Sequence, residues 1–354
     1  METPIFLTRS LPQFYSMLYR WYDANCRILP WRETRDPYCI WVSEIILQQT
    51  RVAQGLTYYM RFINRFPNLM SLAQAEESEV LLYWQGLGYY SRARNMHRAA
   101  RQLVQTGGTM PADWAGLRQM PGVGDYTAGA IASFAYNMPY PALDGNVYRV
   151  LARLYDCDEV FDTSAGKRFF HTLAEQLLDR QHPRQFNSAI MELGALQCVP
   201  AQPDCDVCPV VSFCKAHQTG TEALLPVRKP RTALQDRFFT YTIYICDGQT
   251  LLYQRTKRDI WQHLWEFPLV ESQGWNEQKW EGVNYKEYEH VLSHRRLHAR
   301  FIIREVPSLD IELEKLKDSY PQLQKVRLDG FGEFAMSRLT ERAIDEWLFT
   351  LIER

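Results

Sequence analysis

Two hydrophobic rhythms divide the chain. Over residues 76–108, EESEVLLYWQGLGYYSRARNMHRAARQLVQTGG, apolar positions return at helical spacing until a glycine pair ends the run. From residue 238 the rhythm shortens. FFTYTIYICDGQTLLYQRT reads as two β-rich runs around Asp247-Gly248, a hairpin signal. In RRLHARFIIREV, Leu297, Ala299, Phe301 and Ile303 alternate along one side of a predicted strand. A closing helix is predicted over 340–353, with Ile344, Leu348 and Ile352 at four-residue spacing. Between the two rhythms lies TGTEALLPVRKPRTALQDR, residues 219–237, with two prolines and the basic run Arg228-Lys229-Pro230-Arg231. The pattern therefore predicts a mainly α domain over 1–218, a linker over 219–235 and a smaller α/β domain over 236–354. No internal repeat or long low-complexity tract interrupts it.

Composition adds little to this division. A 354-residue chain that is 46% apolar and 23% charged has room for two ordinary globular cores. The net charge is −1, and residues 1–215 hold equal numbers of basic and acidic side chains. Any nucleic-acid surface must then come from local arrangement, not from bulk charge. The opening METPIFLTRSLPQFYSMLYRWYDAN, with Arg9 and Arg20, lacks the apolar core of a signal peptide, and no run reaches membrane-span length. A cytosolic location and reduced packing roles for Cys26, Cys39, Cys157 and Cys246 are expected.

The other four cysteines stand in CVPAQPDCDVCPVVSFC as Cys198-x6-Cys205-x2-Cys208-x5-Cys214. Disulfides suit small secreted domains, which this chain does not resemble. Four thiolates with one C-x2-C pair satisfy tetrahedral zinc, although zinc ribbons usually present two such pairs. The same loop can wrap an iron–sulfur cubane. Spacing alone leaves zinc and iron–sulfur open.

Three further stretches carry candidate chemistry. In MPGVGDYTAGAIASFAY, residues 120–136, Pro121-Gly122-Val123-Gly124 breaks one helix and another starts near Tyr126. Glycines there bring amides close to a ligand, and a helix N-terminus attracts anions. An ordinary helical hairpin would read the same way. In YPALDGNVYRVLARLY, Asp144 precedes a helix whose apolar face includes Val147, Val150 and Leu154. It is either a simple N-cap or a carboxylate that turn amides keep ionised. Glu44, in PYCIWVSEIILQQTRV, is flanked by Val42, Ile45, Ile46 and Leu47. Such company raises a carboxyl pKa and suits a proton donor. The alternative is a solvated polar stripe, Glu44-Gln48-Arg51.

PGVG, then LDGNV, then the four-cysteine loop, in this order and at these separations, resembles the helix-hairpin-helix DNA glycosylases with a [4Fe–4S] cluster, over roughly the first 225 residues. Within that superfamily, LPWRETRDPYCIWVSEIILQQTRV and GLGYYSRARN look like the MutY adenine-glycosylase branch. The resemblance implies a six-helix barrel with an iron–sulfur subdomain, the hairpin at about 117–134 and the cluster on Cys198, Cys205, Cys208 and Cys214. It implies base excision on duplex DNA carrying A opposite 8-oxoguanine or G, by a monomer at the bacterial nucleoid. Glu44 would protonate adenine at N7, Asp144 would stabilise the oxocarbenium-like sugar, and Asn146 and Tyr126 would orient that carboxylate. Trp31 and Arg32 would line the adenine pocket, Gln49 and Tyr89 would enter the duplex, and Gly122, Val123 and Gly124 would hold a phosphate. The nearest alternative is an endonuclease III-like glycosylase/lyase, which needs a lysine after the G-V-G turn to form a Schiff base. Residues 120–140 contain none. A third reading is a non-enzymatic DNA-binding module with structural zinc; Glu44 and Asp144 oppose it, since idle acids in a DNA groove repel phosphate.

Residues 236–354 resemble the Nudix-like C-terminal domain of the same branch, with LWEFP at 264–268 as the main match. LVESQGWNEQKWEG, residues 269–282, lacks the R-E-x-x-E-E metal pattern, so no pyrophosphohydrolase activity is expected. Where the family reads the lesion with Phe-Ser-His, this chain has Leu292-Ser293-His294. Ser293 and His294 keep their hydrogen-bonding groups, and the aromatic is missing.

Overall fold

The computed structural model describes residues 10–230, 233–275 and 284–352, with the side chains of 351 and 352 excluded. Arg9, residues 276–282 of the expected metal-motif gap, residue 353 and the side chain of Ile352 therefore lie outside the described residues. The chain forms two compact units: residues up to Met70 with Ala99–Pro230, and Ser71–Arg98 with the residues after Pro230.

The first unit is helical. Its core gathers on the helix Gly145–Tyr155, whose Val147, Val150, Leu151 and Leu154 are all buried. Phe170 and Leu177 of the helix Ser164–Leu177, Phe186, Ile190 and Leu193 of Pro183–Leu196, and Phe14 and Leu18 of Leu11–Asn25 pack there. The apolar face predicted at Val147, Val150 and Leu154 is thus the side the helix turns inward. Gly194 permits the closest approach in this core. A Cβ there would stand 2.7 Å from Asn146 Cβ and 2.9 Å from its carbonyl oxygen. Only glycine lets the 183–196 helix press on Asn146 without moving it.

The second unit is α/β. Strands β1 (Gln235–Ile245), β2 (Gln249–Gln254), β3 (Trp265–Glu266), β4 (Leu269–Ser272), β5 (Tyr285–Val291), β6 (Arg295–Glu305) and β7 (Gln324–Arg327) form two sheets, ordered β4-β1-β6-β5 and β3-β2-β7. β1 and β6 run parallel from Gln235↔Arg295 to Ile245↔Glu305, while β4 and β5 are antiparallel additions. Leu297, Ala299 and Phe301 are fully buried, as their alternation predicts, and Tyr241 stacks on Phe301 at 4.5 Å.

Three elements depart from the sequence reading. The Asp247-Gly248 turn forms, with φ of 48° and 69°, but the hairpin stops after the Cys246–Gln249 bridge. β1 then pairs with β4 and β6, and β2 with β3 and β7. β2 buries four consecutive residues, Thr250 to Tyr253, so it needs packing on both faces, which a half-exposed hairpin arm cannot supply. The helical run 76–108 splits into Glu77–Trp84 and Ser91–Gln105, because Gly86 and Gly88 turn left-handed at φ 93° and 70°. The closing helix begins earlier, at Arg338 behind a Ser337 cap, and widens into a π-turn over Ile344–Leu348. Ile344 and Leu348 are nevertheless buried.

Candidate active site

The first unit contains a cavity of about 1660 Å³. Trp31, Arg32, Glu44, Gln49, Gly122, Gly124, Tyr126, Asp144 and Asn146 all line it. Residues from four separated stretches of sequence thus meet in one place.

Glu44 is carried on the helix Pro37–Leu47, which Asp36 caps by accepting from the Tyr38 amide at 2.8 Å. Nearly every residue of this helix is buried, so the solvated-stripe alternative fails; Glu44 is 6% exposed. Burial pushes its pKa up to about 7, and the negative charge of Asp144 adds to the rise. The Tyr126 hydroxyl donates to Glu44 Oε2 at 2.6 Å and, with the more distant charge of Arg32, opposes it. Tyr126 therefore contacts Glu44, where the sequence reading expected it beside Asp144. Its own pKa is driven well above the usual phenol value by burial, so it stays a donor.

Asp144 caps the helix Gly145–Tyr155. Oδ1 accepts the amides of Asn146 at 2.9 Å and Val147 at 2.8 Å, and Oδ2 accepts from Asn146 Nδ2 at 2.8 Å. These bonds favour the ionised form, yet burial outweighs them and raises the pKa from its usual aspartate value. Reading the cap alone anticipated the hydrogen bonds and missed the burial. Asn146 is held in turn by Arg149, which donates to Asn146 Oδ1 at 2.9 Å, to Gly194 O at 2.6 Å and to Cys198 O at 2.7 Å.

Around the hairpin, Gly122 has φ of 79° and Gly124 caps the helix Asp125–Tyr136. Both glycines are exposed, whereas Val123 is buried and its amide donates to Met120 O at 3.1 Å. Trp31 is buried edge-on to Tyr59, with ring centroids 5.1 Å apart. Arg32 donates to Glu192 Oε2 at 2.6 Å. Glu192 also receives two bonds from the Arg27 guanidinium, and these partners hold its pKa down at about 2 despite its burial. Glu192 and Arg27 were missed from sequence. The signal was present: Glu192 stands alone between Ile190 and Leu193 on an apolar helix, as Glu44 does on its own. Gln49 and Tyr89, both expected to enter a duplex, hold left-handed backbones at φ 57° and 47°, a costly state for residues with side chains.

The four loop cysteines are free thiols at the edge of the first core, where Cys198, Cys208 and Cys214 pack against it. Burial pushes Cys208 up to about 12 and Cys214 up to about 11, with the neighbouring cysteines adding to both. The buried Arg153 brings positive charge, donating to Cys198 Sγ at 3.3 Å and to the carbonyls of Val199 and Pro200. Among the described residues, the one group of three His, Cys, Asp or Glu donors all within 4.8 Å of one another is Cys205, His217 and Glu222. No three of the loop thiols gather that closely, whereas tetrahedral zinc with Zn–S bonds of about 2.3 Å needs sulfurs roughly 3.8 Å apart.

In the second unit, Ser293 and His294 are exposed at the β5–β6 turn, and Leu292 packs against the core behind them. Tyr89 belongs to this unit, and its hydroxyl hydrogen-bonds Ser293 Oγ. Two residues assigned to DNA contact on separate grounds are thus neighbours. No described helix is long and apolar enough to cross a membrane.

Comparison with known proteins agrees with this geometry. Residues 42–176 match the HhH-GPD superfamily of base excision DNA repair proteins, and residues 240–346 match the NUDIX domain. A Buchnera aphidicola subsp. Baizongia pistaciae protein named adenine DNA glycosylase is 36% identical over 301 residues, covering 80% of this chain and 84% of its own. The Mus musculus adenine DNA glycosylase is 45% identical over 228 residues, 61% of this chain and 44% of its own, so the chain spans less than half of that relative. Among solved structures, a thermostable thymine-DNA glycosylase superposes with a TM-score of 0.54 at 26% identity, covering 60% of this chain and 98% of that one. Endonuclease III in a non-covalent DNA complex, at 22% identity and a TM-score of 0.52, shares the fold over 62% of this chain and 99% of its own. A helix-hairpin-helix glycosylase unit joined to a Nudix-like unit, expected from the motifs, is what these matches describe. With a relative matched over most of both lengths, the chain belongs to the adenine DNA glycosylase family.

Proposed function

We propose that the enzyme excises adenine paired with 8-oxoguanine or G and leaves an abasic site without cutting the strand. The observation that carries this is Glu44: a buried carboxyl with a pKa near 7, facing a cavity it shares with Asp144 and held by a tyrosine. A carboxyl titrating near 7 is still substantially protonated at neutral pH, and adenine leaves poorly unless it accepts a proton.

The duplex must first release the adenine from its stack, which costs least at a mismatch. Glu44 then donates its proton to N7. The N-glycosidic bond breaks with its electrons moving to the base, and the positive sugar is stabilised by the Asp144 carboxylate. Asn146 keeps that carboxylate aimed, and the ionised Glu44 then accepts a proton from the attacking water. Trp31 and Arg32 line the space for the base. Gly122, Val123 and Gly124 receive a phosphate, with the exposed glycines supplying the close backbone approach. Gln49 and Tyr89 enter the duplex, and Ser293 and His294 read the base opposite adenine. On this reading the enzyme acts as a monomer on the bacterial chromosome.

Cys198, Cys205, Cys208 and Cys214 would hold a [4Fe–4S] cluster, a reading supported by four unpaired thiols in one loop, by the Arg153 charge beside Cys198 and by the family's motif order. The cluster would act as a structural tie for the loop that Arg149 and Arg153 grip. Anaerobically purified protein should be yellow-brown with about four irons per chain; colourless, fully active zinc protein would refute this.

The function is tested with duplexes carrying A opposite 8-oxoguanine, G or T. Strand breaks should appear only after alkali, and only for the first two. Efficient borohydride trapping would instead favour the lyase reading. The cavity's one lining lysine among the described residues is Lys167, and the helix after the G-V-G turn, where the family resemblance puts a lyase's lysine, carries Tyr126 and no lysine up to residue 140.

A further inference from the structure

The β5–β6 turn that carries Ser293 and His294 is braced on both feet by a single loop, residues 256–263. On one foot, Asp259 accepts from Arg295 Nη1 at 2.6 Å, and Arg295 is the first residue after His294. The same carboxylate accepts from Arg237 at 2.7 Å and 3.1 Å and from Arg255 at 3.0 Å. On the other foot, the Trp261 ring meets His290 edge-on at 5.8 Å, two residues before Leu292. Ile260, Trp261 and Leu292 all pack against the same core cluster.

This bracing loop is itself held in a costly shape. Trp261 and His263 have left-handed backbones, at φ 58° and 67°, which side-chain-bearing residues adopt only when their surroundings over-determine them. Those surroundings are visible. His263 pairs with Glu77, Gln254 donates to His263 O at 3.1 Å, and Arg94 donates to Gln262 O at 2.7 Å. The Arg237 and Arg295 guanidiniums and the Ile260 amide hold the Asp259 pKa far below the ordinary carboxylate range against its partial burial. One carboxylate therefore ties β1, the end of β2 and the start of β6 to the loop. A tie at the foot of a two-stranded turn controls the angle at which its tip is presented, because Ser293 and His294 are exposed there and Tyr89 holds Ser293 from the side.

We propose that Asp259 is a positioning residue for base discrimination, setting the presentation of Ser293 and His294 through Arg295. It makes no contact with DNA in this role. The inference rests on the proposed reading of the opposite base by Ser293 and His294. Leu292, half-buried, packs against the core at the base of the tip.

The test uses the full chain under single-turnover conditions, comparing A:8-oxoguanine with A:G duplexes. Asp259→Asn should lower the preference for A:8-oxoguanine by about tenfold, through weaker binding of that duplex, and leave the A:G cleavage rate unchanged. Asp259→Glu should recover most of the preference, and Arg295→Met should reproduce the Asn phenotype from the other side of the bond. A purely structural role would lower both rates together, and that result overturns the proposal. Ser293→Ala with His294→Ala is the control for the underlying reading. If that double variant keeps full preference, the assignment of the reading residues fails. If it loses preference while folded Asp259→Asn and Arg295→Met keep theirs, the positioning role fails alone.

Discussion

Glu44 and Glu266 are both buried glutamates that accept a tyrosine hydroxyl, one in each unit. Burial raises the pKa of each. Glu266 also receives Arg255 Nη1 at 2.8 Å and the hydroxyls of Tyr253 at 2.5 Å and Tyr241 at 3.3 Å, deep between two sheets. Glu44, whose one hydrogen-bond donor among the described residues is Tyr126, opens onto a cavity of about 1660 Å³. Burial alone thus leaves two carboxyls in different settings, one open to a guest and one closed in. A carboxyl closed in by a guanidinium and two phenols is a strut, whereas one that faces space and lacks a paired cation can give up its proton to a guest.

The contrast can be broken most directly by the paired substitutions. Glu44→Gln should cut single-turnover adenine release by at least ~10²–10⁴-fold, the usual worth of a general acid, while duplex binding by gel shift persists or tightens. Wild-type cleavage by this variant would reduce Glu44 to a packing residue. Glu266→Gln should do the reverse: unfolding free energy in urea falls by about 2 kcal/mol because Arg255 loses one of its two carboxylate partners and keeps only Asp259, while the A:G cleavage rate of the folded protein holds. A loss of chemistry there would erase the distinction between strut and acid.

Acidity gives the next test. With Glu44 titrating near 7, the cleavage rate should fall by about tenfold per pH unit above that point as the donor proton is lost. The Tyr126 bond lowers the Glu44 pKa, so Tyr126→Phe should move this alkaline limb to higher pH. A limb that stays in place would mean another group controls it. The smallest effect expected is from Gly122→Ala, whose φ of 79° costs a side chain ~1–2 kcal/mol. It should weaken duplex binding several-fold and leave the rate on bound DNA unchanged.

Much of the first unit was legible in sequence because its signals are local. The cap at Asp144, the turn at Gly122 and the apolar flanks of Glu44 each report on a few adjacent residues, and the structure gathers all of them on one cavity. Glu192 escaped because its partners, Arg27 and Arg32, are some 160 positions away. Tyr126 was expected beside Asp144, and its bond is to Glu44, 82 positions distant. In the second unit the Asp247-Gly248 turn was read correctly and the pairing of its strands was not, since burial on both faces of β2 sends it to another sheet.

The chain's order of residues by itself determined where helices give way to strands, which thiols lie within one loop, and which two carboxylates stand in unusual company. Those features depend on periodicity and near-neighbour chemistry, which propagate over a few residues. Tertiary structure decided that Glu44 opens onto a cavity with its pKa raised to about 7, while Glu266 is closed in by Arg255 and two tyrosines. It also decided that Asp144 is buried beyond what its cap implies, and that Tyr89 meets Ser293. Burial, cavity and counter-charge come from residues far apart in sequence, so they exist only once the chain has folded.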